Sequence, residues 1–265
     1  MTVDSPAEAL LRSLGITRPA DIDLEAVAWS VGVKVRDAVL ESCEARIIGY
    51  NDRAIITVQQ GGDPRRRRFS IGHELGHWTH HRGRSSVCRS SEIGNPGSAS
   101  QIERQADRFA ADLLMPRYLF LPSLAEHHRP SFEAIDALAS DYATSRLATA
   151  LRCLDLSGWP VMLVCHGKGG RRWFKRSPNV PDHWFPRDDL DASSSAFAVL
   201  FGNAERSRPQ LIGADSWFER RDAARFRLTE QSVRAHGGEI LTLLILTDSG
   251  MLGWTKTIGS GDVSG

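Results

Sequence analysis

Cysteine is scarce and scattered: the 265-residue chain has four, at positions 43, 88, 153 and 165, with no C-x-x-C pair. They read as reduced thiols of a cytosolic protein rather than as a disulfide framework. An excess of one charge is also missing, with 33 Lys plus Arg against 32 Asp plus Glu. A dedicated nucleic-acid binder shows a basic excess or a basic face, and this total lends no support to one. No apolar run reaches the roughly 18 residues that suggest a membrane span. The opening MTVDSPAEALLRSLG lacks the basic and apolar regions of an export signal. These absences predict a cytoplasmic protein with no membrane partner. What is there, 41% hydrophobic and 25% charged residues, is the composition of a globular chain able to bury a core. The length suits one large domain or two ordinary ones.

Residues 5–15 read as a helix, with Ser5 as N-cap, Pro6 in the first turn and Gly15 past its end. Asp21 or Asp23 can cap a second helix that carries Leu24, Val27, Ala28 and Val31 and stops at Gly32. Three strands are expected, Val33–Val39, Arg46–Tyr50 and Ala54–Val58, the last two joined as a hairpin through Asn51-Asp52-Arg53. A helical run follows Pro64 to about His81, a Ser- and Gly-rich loop spans 83–100, and a strong helix covers Gln101–Met115. Pro116 restarts the chain as another helix, and a helical pair runs from Pro130 to about Leu156. Ser157-Gly158-Trp159-Pro160 is the expected domain boundary, dividing 1–156 from 157–265. Beyond it the pattern is β-rich, with strands at Val161–Cys165, Arg172–Arg176, Ala196–Phe201 and Ile240–Leu246, and a helix at Leu228–Ala235.

The chemistry is concentrated in His73-Glu74-Leu75-Gly76-His77. Two histidines four residues apart share one face of a helix, so both imidazoles can reach a single ion at about 2.0–2.1 Å. Glu74 lies one step round that helix, placed to take a proton from an attacking water as general base. Such a site needs a third protein ligand and an open fourth position. Glu103 is the expected ligand, because Glu103-Arg104-Gln105-Ala106-Asp107 sets two carboxylates at i and i+4 on the next strong helix. Glu103 can bind the metal while Asp107 accepts the spare N–H of a ligand histidine and fixes its tautomer. Two histidines and one glutamate form the zinc donor set of thermolysin-like peptidases.

The run Arg68-Phe69-Ser70-Ile71-Gly72-His73-Glu74-Leu75-Gly76-His77, followed by the block from Ile102 to Pro116, resembles the ImmA/IrrE family of metallopeptidases. The second block, close to E-x-x-A-[DN]-x-F-A-A-x-L-L-M-P, is the more specific, and the resemblance spans roughly residues 20–155. It implies an α+β fold: a thermolysin-like minimal peptidase domain with a small antiparallel sheet and an HExxH helix, then a helical pair. The remainder resembles the β-rich, GAF-like second domain of many members. It also implies zinc held by His73, His77 and Glu103, with Glu74 as base and Asp107 behind the ligands. Where many members carry an acidic residue this chain has Gln105, which removes the competing ligand. Characterised members are cytoplasmic and cleave a helix-turn-helix repressor, in mobile-element induction or the response to DNA damage. A helix-turn-helix repressor is therefore the expected partner. The rival readings are a DNA-binding regulator that only retains a zinc site, and a toxin–antitoxin component acting by binding.

Weaker signals carry plainer readings beside functional ones. Arg65–Arg68 reads first as a solvated or structural run and second as a dock for an acidic segment or DNA. His80, His81, Tyr118 and Tyr50 are unranked candidates for oxyanion stabilisation, and Cys88 for redox sensing. Residues 137–146 have the shape of a helix-turn-helix, expected mainly to pack and secondarily to touch DNA. Trp173, Phe174, Trp217, Phe218 and Trp254 can line a small-molecule pocket, although most are expected in the core.

Overall fold

The computed structural model describes residues 3–41, 43–80 and 101–253 together with the backbone of 86–88; His81, Trp254 and most of the expected 83–100 loop lie outside the described residues. The chain divides into two compact units, Met1–His128 with Glu133–Leu156, and Arg129–Phe132 with Ser157–Gly265. Both mix helices and sheet, so the fold class is α+β. Among the described residues no helix is long and apolar enough to cross a membrane.

In the first unit, helix α1 (Pro6–Ser13) opens on a capping box: Glu8 N–H donates to Ser5 Oγ, and Ser5 N–H donates to Glu8 Oε2. Asp23 caps α2 (Leu24–Ser30). Strands β1 (Val33–Ala38), β2 (Ala45–Tyr50), β3 (Arg53–Gln59) and β4 (Ser86–Cys88) form one sheet in the order β1-β3-β2-β4. The hairpin expected at Asn51 is present, with Asn51 at φ 53°. The sheet is mixed, however, and the expectation of a small antiparallel sheet is corrected, because β1 runs parallel to β3. The tight turn commits one edge of β3 to β2, and its other edge is completed by β1, in register from Val33↔Ala54 to Ala38↔Gln59. A second correction is β4, a strand within the expected loop, paired from Ala45↔Cys88 to Ile47↔Ser86. Three residues carry too little periodicity to be seen in advance.

Helix α3 (Pro64–His80) is buried continuously from Ser70 to Trp78 and packs on α4 (Gln101–Leu114). Two arginines of the basic run at its start, Arg67 and Arg68, are held within the fold. Arg67 donates to Glu25 at 2.6 Å and to Asp37 at 2.9 Å, and Arg68 donates to the Ile22 carbonyl at 3.2 Å. Burial holds the Arg68 guanidinium below its ordinary pKa. Helices α5 (Arg117–Ala125), α6 (Phe132–Asp141) and α7 (Arg146–Leu156) follow. In α7, Arg152 lies 2.7 Å from Asp112 and donates twice to the Met115 carbonyl, closing the C-terminal end of α4. Arg146 pairs with Asp136 at 2.6 Å. Both arginines of the pair shaped like a helix-turn-helix are thus committed within the fold.

The second unit is an antiparallel sheet of five strands, β6 (Gly170–Arg176), β5 (Val161–Gly167), β9 (Ile240–Ile245), β8 (Arg227–Arg234) and β7 (Gln210–Gly213), in that order. Strands β5 and β9 are buried at every position. Two elements expected here exchange type. Residues 196–201 belong to helix α8 (Ser195–Phe201), with Ser194 as N-cap and Ala196, Val199 and Leu200 buried on one face. A short apolar run cannot distinguish strand from helix by periodicity. Residues 228–234 of the helix expected at Leu228–Ala235 fall in strand β8 instead. Its polar centre, Glu230, Gln231 and Ser232, is 0% exposed, so alternation of polar and apolar residues never marks it as a strand. Glu230 accepts from Ser194 Oγ, the Ser195 N–H, Gln210 Nε2 and Trp217 Nε1, which ties α8 to the sheet. Trp217 and Phe218 belong to the core, as expected, with Phe174 packed against it.

His166 in β5 is fully buried, with its ring 5.8 Å from that of Trp217. Burial, the largest influence, pushes its pKa down from 6.5 despite the nearby backbone of Arg187 and the Asp188 carboxylate. The unfolded chain then binds more protons than the folded one as pH falls below about 6.5, so stability is full above that value and declines beneath it. Urea unfolding followed by tryptophan fluorescence should show this loss between pH 7 and 5, and His166→Gln should reduce it. Identical pH dependence in both proteins would remove His166 as its source.

Candidate metal centre

The helix that carries the site is set by local chemistry. Asp63 accepts the Arg65 N–H at 2.7 Å and Pro64 begins the first turn. Ile71, Leu75 and Trp78 face inward at 0%, 1% and 5% exposure, which turns the remaining side toward α4. Trp78 Nε1 donates to the Val31 carbonyl at 3.1 Å, and the absence of a side chain at Gly49 lets its ring lie against β2. His73, Glu74 and His77 are all buried.

The structure brings the expected donors together. His73 Nε2 lies 3.0 Å from His77 Nε2 and 3.1 Å from Glu103 Oε2, and His77 Nε2 lies 3.5 Å from Glu103 Oε2. Three donors held tetrahedrally about 2.1 Å from one ion stand about 3.4 Å apart, so these separations fit a single small cation. His73, His77 and Glu103 form a cluster of donors with the spacing of a metal site. Asp107 Oδ1 is 2.8 Å from His73 Nδ1. With that nitrogen donating to the carboxylate, His73 Nε2 in the neutral ring presents a lone pair toward His77 and Glu103. Lone pairs and a carboxylate aimed at one point repel unless a proton or a cation lies between them. The local field favours positive charge. Burial, the largest influence on His73, lowers its pKa, but the Asp107 hydrogen bond and the charges of Asp107, Glu74 and Glu103 outweigh it and hold the pKa above 6.5.

The fully buried Glu74 sits one residue from His73, near enough for its charge to be felt there. The other candidates are placed differently. Tyr118 donates its hydroxyl to the Ile16 carbonyl at 2.8 Å beneath the Arg12 guanidinium. Tyr50 is 82% exposed at the tip of the hairpin, and His80 meets Phe109 edge-on. Cys88 contributes backbone pairing to β4. Two features escape a search for donors alone. Asp112 and Met115 serve the Arg152 cap, and Gly72 and Gly76 meet Ala110 and Ala106 across the helix pair. The signal for the second was present as small residues four apart on each helix.

No curated protein matches the chain at a significant level. Among solved structures it is similar to a Mycobacterium tuberculosis transcriptional regulator, with a TM-score of 0.59 and 15% identity over 90% of this chain and 74% of that one, a likeness of fold. Residues 29–154, which carry His73, Glu74, His77, Glu103 and Asp107, match the Peptidase_M78 model, the IrrE N-terminal-like domain, which supports the ImmA/IrrE resemblance of this segment.

Proposed function

We propose that the protein is a zinc-dependent endopeptidase of the cytoplasm that cleaves a helix-turn-helix repressor and so derepresses mobile-element or stress-response genes. The observation that carries the catalytic part is the convergence of His73 Nε2, His77 Nε2 and Glu103 Oε2, with Glu74 beside them. Two imidazoles and a carboxylate suit zinc and match the thermolysin-like donor set. When bound there, zinc supplies Lewis acidity toward the scissile carbonyl and eases deprotonation of water. In this reading Glu74 takes the proton of the attacking water and passes it to the leaving amine, which completes hydrolysis with atoms balanced. Asp107 keeps His73 in the tautomer whose Nε2 faces the site. Residues 157–265 act as a GAF-like sensing or docking module.

The match of residues 29–154 to a peptidase-family model supports proteolysis, and the similar fold of a protein named a transcriptional regulator supports a setting in gene control. That printed name also favours a second reading, a DNA-binding regulator that keeps the metal without cutting. The commitment of Arg146 and Arg152 to carboxylates and a carbonyl weighs against it. The deciding experiment incubates purified protein with candidate helix-turn-helix repressors. Close to one zinc per chain and a discrete cleavage product are expected, with the product lost under a chelator and recovered on adding zinc. A zinc-loaded protein that binds DNA and leaves every candidate repressor intact would establish the regulator reading instead.

A further inference from the structure

We propose that Gly72 and Gly76 are positioning residues for the metal centre, setting the distance between α3 and α4 and with it the reach of Glu103 and Asp107 toward the histidines. The proposal rests on the metal-site reading above. A Cβ at Gly76 would lie 2.8 Å from Ala106 Cα, 3.0 Å from the Ala106 carbonyl oxygen and 3.1 Å from Phe109 Cβ. A Cβ at Gly72 would lie 3.2 Å from Ala110 Cβ and 3.3 Å from Ala110 Cα. The first approach is forbidden to a side chain, and the second is tight.

The contacts are in step with the donors. Each glycine directly precedes a histidine of the site, so both pairs share the four-residue spacing of one helix. On α4, Ala106 lies between Glu103 and Asp107, and Ala110 one turn beyond. A displacement at either contact is therefore passed to the carboxylates almost undiminished. Helices with ordinary side chains at their contact stand about 8–10 Å apart, and glycine permits closer approach. Glycine is also a poor residue for a helix interior. Two of them in the buried part of α3 run against local preference, and the near contact with α4 gives the reason.

His73 and His77 share α3, so a shift of α4 leaves their 3.0 Å separation intact and changes the distances to Glu103 and Asp107. A metal site tolerates about 0.2 Å of error in each ligand distance. The few tenths of an ångström needed to admit a methyl group therefore weaken metal binding before they unfold the protein.

The full chain is tested by zinc affinity, measured by competition with a chromophoric chelator, beside thermal unfolding of the metal-free protein. Gly76→Ala should weaken zinc binding by at least the roughly 10–100-fold seen when a ligand loses its orientation. Ala106→Gly should not restore it, because the two Ala106 atoms that oppose Gly76 are backbone. Gly72→Ala should weaken binding less, and Ala110→Gly should restore it in part by removing the nearer opposing atom, Ala110 Cβ, while Ala110 Cα stays at 3.3 Å. This contrast tests spacing rather than fold, and the Gly72 pair remains informative should Gly76→Ala fail to fold. Wild-type affinity in folded Gly76→Ala or Gly72→Ala would overturn the proposal. So would a lower melting temperature with unchanged affinity, or a Gly72→Ala defect that Ala110→Gly leaves in place. A wild-type protein that binds no zinc would instead refute the metal-site reading, and the positioning role with it.

Discussion

Glu74→Gln should fold, bind zinc like the wild type, and cleave its substrate about 10²–10⁴-fold more slowly, the usual worth of general-base assistance. The expectation follows from placement. Glu74 is fully buried in α3 next to His73, and the convergent donor group consists of His73, His77 and Glu103 without it. Glutamine keeps the volume and most of the polarity of the side chain but cannot accept the proton of water. The site should therefore persist while the chemical step fails. Metal content, circular dichroism and single-turnover cleavage rates separate the two. Unimpaired cleavage in the zinc-loaded variant would show that another group is the base.

Removing Glu103 should have a different consequence from removing Asp107, although both carboxylates lie within 3.1 Å of His73. Glu103 reaches toward both histidine Nε2 atoms, at 3.1 and 3.5 Å, so Glu103→Ala should strip a ligand and leave the purified protein without stoichiometric zinc. His73→Ala and His77→Ala should do the same. Asp107 touches only the far nitrogen of His73 in these contacts, so Asp107→Ala should retain all three donors and lower zinc affinity by about 10–100-fold. The raised pKa of His73 adds a direction to the pH dependence. Protons compete with zinc for its other ring nitrogen, Nε2, so zinc affinity should fall as the pH is lowered. Equal, small losses of affinity in the Glu103 and Asp107 variants would mean that the third ligand lies elsewhere.

Much of this was legible in the chain because it depends on separations of a few residues. The i, i+4 rule places His73 with His77 and Glu103 with Asp107 on their own helices. Ser5 with Glu8 and Asp23 with Ala26 are local caps, and Asn51 marks a turn between two alternating segments. The errors fall where local pattern is ambiguous or misleading. Residues 196–201 are apolar at nearly every position and fit either element. Strand β8 buries Glu230, Gln231 and Ser232 through partners such as Ser194, Gln210 and Phe132, which lie far away in sequence. The parallel seating of β1 against β3 likewise follows from a free edge that exists only once the hairpin has formed.

By itself the sequence determined which residues could hold a metal, that they lie on two helices, and which family pattern they follow. Helical periodicity and residue chemistry are sufficient for that. Only the tertiary structure decided that the two helices meet at Gly72 and Gly76, with Ala106 and Ala110 opposite, and that Asp107 takes the far nitrogen of His73 while Glu103 faces both near ones. It also decided that Asp112, inside the same sequence block, serves Arg152. The physical reason is that the 3.1 and 3.5 Å separations between Glu103 and the two histidines are set by the packing distance between segments some 30 residues apart. No rule confined to one helix contains that distance.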